Sequence, residues 1–365
     1  MSKLFSQLTL RNIVLPNRIV VSPMCQYSSE DGFATDWHLV HLGQFAIGKA
    51  AAIIQEATAI SPEGRISFWD LGIWKDEHIE KYRQITSFIK SQGSIPGIQL
   101  AHAGRKASDN RPWAGRGQLS SQHPNGWQTV APSPLPFQDD DMTPVPLSDA
   151  DINRLIEDFR KAAQRAIEAG YQIIEIHAAH GYLIHQFLSP LTNTRTDAFG
   201  GSFENRIRFL LAIVDVVRPV VSEGSLWVRI SATDWAEGGW DLAQSIALAK
   251  TLKDKGVDVI DVSSGGAVKH QVIPVEPNYQ VPFAEAIRRE TGVTTGTVGI
   301  ITSARQAENI IADGQADFTL IGRAFLDDPH FVYHSARELG VSLDWAPQYS
   351  RAEKTITSVQ RFTSE

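Results

Sequence analysis

The sequence predicts an α/β fold, a (β/α)8 TIM barrel with an N-terminal hairpin and a long capping insertion after the third strand. Three observations carry this. Eight short runs rich in Ile, Val and Ala recur along the 365 residues, each with the length of a buried strand. Most are separated by segments with helical spacing of apolar residues, opened by Ser or Asp or closed by Gly. No Gly-x-Gly-x-x-Gly follows the first run, which argues against an open dinucleotide-binding sheet. Eight such units favour closure into a barrel. With no low-complexity tract or linker, residues 1–365 are expected to form one domain.

In chain order, Leu8, Leu10, Ile13 and Leu15 alternate with polar residues and predict the hairpin. The first barrel strand, Asn17 to Val21, stops at Ser22-Pro23-Met24-Cys25, where proline removes a donor. Asp36 is a candidate cap for a helix from His38 to Gly48. Ala51 to Thr58 is the second strand, Asp76 to Gln92 a helix closed by Gly93, and Ile95 to Leu100 the third strand. Residues 103–148 then interrupt the alternation with Pro, Gly, Ser and Asp, carrying Trp113, Trp127 and Phe137. A connection of that length is usually functional, and it reads as a cap. Ser148 opens a helix that Gly170 ends, and Tyr171 to Ile176 is the fourth strand. The remaining strands are Leu226 to Ile230, Val257 to Val262, Val293 to Val298 and Asp317 to Ile321. The remaining helices are Asn205 to Val217, Leu242 to Lys255, Val281 to Thr291 and Ser303 to Asp313.

Composition narrows the class. Hydrophobic residues are 42% and charged residues 21%, which suits a sizeable core, and the net charge of −7 argues against a nucleic-acid partner. No apolar run approaches the roughly 18 residues of a membrane helix. The opening Met1-Ser-Lys-Leu-Phe5 lacks the apolar core of a signal peptide. The single cysteine, Cys25, cannot form an intrachain disulfide, so a cytoplasmic location is expected.

Barrel enzymes carry their chemistry at the C-terminal strand ends. Here those ends offer Ser22 to Cys25 with Tyr27, then Ala57, Gln99 with His102, His177 with His180, Arg229, Ser263-Ser264, Gly299, and Gly322-Arg323. His177 and His180, three apart on a loop, can aim two N–H donors at one carbonyl oxygen, with Tyr182 as a proton donor beyond them. Taken alone, such a pair is as readily packed, exposed or metal-bound. A metal-dependent hydrolase barrel using both histidines as ligands is therefore the rival reading, although no further Asp or His stands at a strand end to complete its set. Gly299 and Gly322-Arg323 follow strands seven and eight, where barrels bind phosphate, and arginine pairs with phosphate bidentately. Gln99 and Arg229 suit the uracil-like edge and the N1/O2 side of a flavin mononucleotide (FMN), though Arg229 is equally at home in an ion pair inside the barrel.

The motifs Asn17-Arg-Ile-Val-Val-Ser-Pro-Met-Cys-Gln-Tyr27, His102-Ala-Gly-Arg-Lys106, His177-Ala-Ala-His-Gly-Tyr182, Arg195-Thr-Asp-Ala-Phe-Gly-Gly-Ser-Phe-Glu-Asn-Arg206 and Ile321-Gly-Arg323 resemble the old yellow enzyme family of FMN-dependent ene-reductases. The closest match is its NADPH dehydrogenase and xenobiotic reductase branch with cysteine after Pro-Met. The resemblance covers nearly the whole chain. It implies that Ser22, Pro23, Met24, Cys25, Ala57, Gln99, Arg229, Gly322 and Arg323 bind FMN. It also implies that His177 and His180 hold the substrate oxygen, that Tyr182 supplies a proton and that Tyr27 contacts substrate. NADPH or NADH would reduce the flavin, which then reduces the activated C=C bond of an enal, enone, maleimide or nitroalkene. Within this branch an arginine near the C-terminus can enter a neighbouring subunit's site, so Arg351 in the tail from about 345 to 365 is the candidate, with a homo-oligomer (dimer or tetramer) implied. Iron–sulfur relatives of the family are set aside, because one cysteine cannot ligate a cluster.

Overall fold

The computed structural model describes residues 2–115 and 117–352. Strands β1 (Leu8–Leu10) and β2 (Ile13–Leu15) pair antiparallel, Leu8 opposite Leu15, as the alternating leucines predict. Next come β3 (Ile19–Val21), β4 (Ala52–Ala59) and β5 (Ile95–Ala101). Within the cap, β6 (Val130–Ala131) and β7 (Val145–Pro146) make a two-stranded parallel patch. The series ends with β8 (Ile173–Ala178), β9 (Ser225–Ser231), β10 (Val259–Ser263), β11 (Thr294–Thr297) and β12 (Phe318–Ile321). Starting at β3, the order β3-β4-β5-β8-β9-β10-β11-β12 returns to β3, an eight-stranded closed parallel barrel.

Two apolar layers hold it. Inside, Val20, Ile54, Ile173, Trp227, Val259, Phe318 and Leu320 pack with Leu10, Ile13 and Leu15, so the hairpin plugs the barrel floor. Outside, the strands bury their other face against a ring of helices. These are α1 (Asp36–Ile47), α2 (Ile79–Ser91), α3 (Asp149–Glu168), α4 (Leu183–Leu188), α5 (Phe203–Val217), α6 (Leu242–Asp254), α7 (Val281–Thr291), α8 (Ala304–Ala312), α9 (Arg323–Asp327) and α10 (Phe331–Glu338). Each fully buried Phe or Leu in these layers contributes about 1.5–3 kcal/mol.

Local signals behave as their chemistry requires, with informative exceptions. At α3, Ser148 Oγ accepts from Asp151 N at 3.2 Å and Ser148 N donates to Asp151 Oδ2 at 3.0 Å, a reciprocal cap. At α1 the cap is Thr35 and not Asp36. Thr35 N donates to His38 Nδ1 at 3.0 Å, while Asp36 is drawn outward to Lys81 at 2.6 Å. The fourth barrel strand begins at Ile173, two residues later than expected, because Tyr171 turns its hydroxyl to donate to Gln55 Oε1. Three short helices, α4, α9 and α10, lie where periodicity was too brief to announce them.

Candidate active site

Period-two alternation along β8 sends Ile174 and Ile176 toward the helices and puts Glu175 and His177 on the other face. Strand register then sets neighbours: Gln99 lies opposite Glu175, His177 opposite Arg229, and Arg229 opposite Asp261. One barrel layer thus collects an amide, two acids, an imidazole and a guanidinium.

Beyond β8 the chain turns sharply, with His180 at φ 58° and Gly181 at φ 74°. Three contacts hold that turn. Gly181 N donates to His185 Nδ1 at 2.9 Å, and His185 Nε2 faces Asp234 Oδ1 at 2.9 Å, both side chains fully buried. His180 N donates to Ser231 Oγ at 2.9 Å. The third is Lys106, whose Nζ donates to His180 O at 2.8 Å and to Gly266 O at 3.4 Å. The result sets the His177 ring 5.2 Å from that of His180 and 5.0 Å from that of Tyr182, each pair edge to face.

Electrostatics fix the protonation of this group. Burial, then the Arg229 charge, holds both imidazoles well below 6.5, so they are neutral donors. Ala179 N donates to His177 Nδ1 at 3.2 Å, which places the His177 proton on Nε2. His180 Nε2 lies 2.7 Å from Ser263 Oγ, which donates to Gln280 Oε1 at 3.1 Å. His180 donates from Nδ1 only when the Ser263 hydroxyl turns its one proton from Gln280 to His180 Nε2, which leaves Gln280 Oε1 accepting from Ser264 Oγ at 2.8 Å. Burial, then Cys25 and Tyr27, pushes the Tyr182 phenol well above 10, so it keeps its proton at neutral pH. Burial also raises the Cys25 thiol, with Asp70 and Glu56 adding to it.

The other expected site residues fall into five places. Ser22, Met24, Arg229, Gly299, Gly322 and Arg323 line one cleft of about 460 Å³, with Tyr279 and Gln280 as further walls. Pro23 precedes Met24 on the same half-buried turn. Cys25 packs with Ala57 and Tyr182 in an apolar patch completed by Ile66, Ala101 and Trp127 of the cap. Gln99 is buried in the barrel layer, donating to Glu175 Oε1 at 2.8 Å. Tyr27, at φ 51° and edge to face with Trp113, lines a second cavity of about 280 Å³ roofed by Lys106, Phe137, Gln138 and Asp141. Arg351 is exposed at the end of the described chain, and the tail from 353 onward lies outside the described residues.

Sequence reasoning missed several members of the constellation. Glu175 sits inside a run read only as apolar, two residues before His177 and so on the same strand face. Asp261 was placed within its strand without a partner, whereas Arg229 Nε stands 3.0 Å from its Oδ2. Arg229 thus lines the cleft while pairing inside the barrel. Lys106 lies within a quoted motif, but its grip on His180 depends on the tertiary fold.

Comparison with known proteins gives the family. The family model described as NADH:flavin oxidoreductase / NADH oxidase matches residues 3–340. The chain is 48% identical over 350 residues to an NADPH dehydrogenase of Geobacillus sp. (strain WCH70), covering 95% of this chain and 98% of that one. It is also 48% identical over 351 residues to an NADPH dehydrogenase of Bacillus subtilis (strain 168), covering 96% and 98%. Among solved structures, morphinone reductase superposes with a TM-score of 0.79 at 30% identity, covering 95% of this chain and 92% of that one. The metal-hydrolase rival finds no support in these matches. The chain is a member of the NADH:flavin oxidoreductase / NADH oxidase family, the old yellow enzymes, and hence an FMN-dependent NAD(P)H oxidoreductase.

Proposed function

We propose that the protein reduces the activated C=C bond of α,β-unsaturated aldehydes, ketones, maleimides or nitroalkenes, using NADPH or NADH as reductant. The observation that carries this reading is the neutral His177–His180 pair, 5.2 Å apart with Tyr182 alongside. The cleft suits FMN in size and in chemistry. About 460 Å³ falls within the usual range for a small-molecule site. Gly299, at φ 124°, leaves backbone where a Cβ would stand 3.2 Å from Gln280 Nε2, and Arg323 and Arg229 supply positive charge in the lining. When bound, FMN carries hydride from the nicotinamide to the alkene.

Every other contribution comes from the chain. Ser22, Pro23, Met24, Cys25 and Ala57 would lie along the flavin, with Gln99 at its pyrimidine edge and Gly299, Gly322 and Arg323 at its phosphate. His177 Nε2–H donates to the substrate's activating oxygen and draws charge toward it, and His180 joins it from Nδ1 once Ser263 has turned its proton from Gln280 to His180 Nε2. Tyr182 gives its proton to the α-carbon, and the Lys106 ammonium, 5.1 Å from its ring centre, favours that loss of a positive charge. Tyr27 and the cap bound the substrate from above. Arg351 is the candidate for a contact across a homo-oligomer in the cytoplasm, and the size of the oligomer tests it.

Each histidine donor should be worth about 3 kcal/mol in the transition state, roughly a hundredfold in rate. Stopped-flow measurement on His177→Ala and His180→Ala, with cyclohexenone as oxidant, should show alkene reduction slowed by that factor while flavin reduction by NADPH barely changes. Equal loss in both half-reactions would refute the role, and a chain that takes up no FMN would refute the reading as a whole.

A further inference from the structure

Two acids in the barrel layer take no part in the cycle above. Glu175 on β8 and Asp261 on β10 are fully buried. Gln99 Nε2 donates to Glu175 Oε1 at 2.8 Å. Arg229 Nε is 3.0 Å from Asp261 Oδ2, near enough to pair but not aligned as a hydrogen bond. Glu175 Oε2 and both Asp261 oxygens accept no hydrogen bond from the nitrogen and hydroxyl donors around them. Glu175 and Asp261 themselves lie within hydrogen-bonding reach of each other. Two ionised carboxylates here would divide one guanidinium and leave a buried charge uncompensated, an expensive arrangement. One added proton removes the difficulty. Glu175 then donates from Oε2 to Asp261, its Oε1 still accepts from Gln99, and Asp261 keeps the charge that faces Arg229.

We propose that Glu175 and Asp261 share one proton behind the FMN cleft, and that protonated Glu175 is a positioning residue, orienting Gln99 and leaving Arg229 with a single counter-ion. The proposal rests on the assignment of Gln99 and Arg229 to the flavin. With one amide N–H spent on Glu175, Gln99 retains Oε1 and a second N–H, the acceptor–donor pattern that a uracil-like edge complements. Burial, then the Asp261 charge, pushes the Glu175 carboxyl up to about 8, and burial raises Asp261 as well. The charged groups facing Glu175 are Asp261 from β10 and Arg229 from β9, while β5 presents the neutral Gln99. From β4, Glu56 turns instead to His38 at 3.4 Å and to Gln26 N at 2.7 Å. Lys106 also titrates near pH 8, but its contacts are His180 and Gly266.

Glu175→Gln is the discriminating variant, because glutamine reproduces the protonated form: its oxygen accepts from Gln99 and its N–H donates to Asp261. FMN dissociation constants of the full chain are measured from pH 6.5 to 9.5, together with infrared spectra of both proteins. Near pH 6.5 the two should bind FMN within about twofold of each other. As pH rises through about 8, the wild type should lose affinity by up to about tenfold per pH unit, the limit for release of one proton, while Glu175→Gln loses none from this source. The wild-type minus variant infrared difference should contain a carboxylic acid carbonyl band that fades over the same range. Asp70, raised to about 7, is present in both proteins and cancels. The same affinity loss in Glu175→Gln, or no such band in the wild type at neutral pH, overturns the proposal. If no FMN binds, the flavin assignment fails, and the infrared difference alone decides the shared proton.

Discussion

Lys106 shows how one side chain can tie chemistry to pH. Burial, then the neighbouring Arg105 charge, lowers its ammonium from 10.5 to about 8. Below that pH the charged group strengthens its bonds to His180 O and Gly266 O and faces the rings of Phe137 at 4.5 Å and Tyr182 at 5.1 Å. Above it the charge is lost and those bonds weaken. Alkene reduction should therefore fall as pH rises through about 8. In Lys106→Met, which keeps the aliphatic stem, that step should run about ten- to a hundredfold slower with the alkaline fall removed, as expected for loss of a charged hydrogen bond worth about 1.5–3 kcal/mol. Rapid-reaction kinetics of the oxidative half-reaction across pH checks this. An unchanged alkaline limb in the variant would assign it to another group.

At the scale of elements, the turn after β8 that carries His180 and Gly181 is built by docking on the loop after β10. A Cβ on Gly181 would lie 1.9 Å from Gly266 O, and one on Gly266 would lie 2.5 Å from the His180 carbonyl carbon. Both glycines are also at positive φ. Gly181→Ala should consequently cost about 2–4 kcal/mol, combining backbone strain with a clash against main chain that cannot swing away. Gly314→Ala is the control: its φ is 72°, but the nearest atom is Arg288 Nη1 at 3.9 Å, so only the conformational cost of about 1 kcal/mol applies. Denaturant unfolding of both variants measures the difference. Equal costs would show that the loops do not bear on each other.

Over the whole molecule, buried titratable groups shape the response to pH. Burial lowers His41, His78 and His102 to about 4, and His177 and His180 also lie well below 6.5. These histidines take up protons more readily when unfolded, so the stability they confer is complete above about 6.5 and is lost as pH falls toward 4. Asp70, raised to about 7, Glu175, raised to about 8, and Asp261 act in the opposite sense. They bind protons more tightly when folded, and their stabilisation is lost as pH rises, through about 7 for Asp70 and about 8 for Glu175. Five histidines outnumber three acids between about pH 4.5 and 6, so acidification should destabilise, while only the acids act between about 7 and 8. Melting temperature should peak near pH 6.5 and decline on both sides. A monotonic rise down to pH 4.5 would contradict the buried, neutral histidines.

Much of this architecture is written locally. Apolar runs of strand length alternate with capped amphipathic helices, and that alternation alone determined an eight-unit barrel, because burying one face of each element leaves few other solutions. The strand-end position of the histidine pair followed from the same periodicity, since Gly170 and the Ile-rich run place the fourth strand to within two residues at each end. What the chain could not state locally is contact between distant strands. Glu175 and Asp261 are 86 residues apart in sequence, and neither looks functional in its own run. Closing the barrel and staggering its register puts them on either side of Arg229. Likewise the hand that holds His180 belongs to Lys106, and its docking surface to Gly266, both supplied by loops whose approach depends on packing. Periodicity reports which face a residue takes; only the closed fold decides what it meets there.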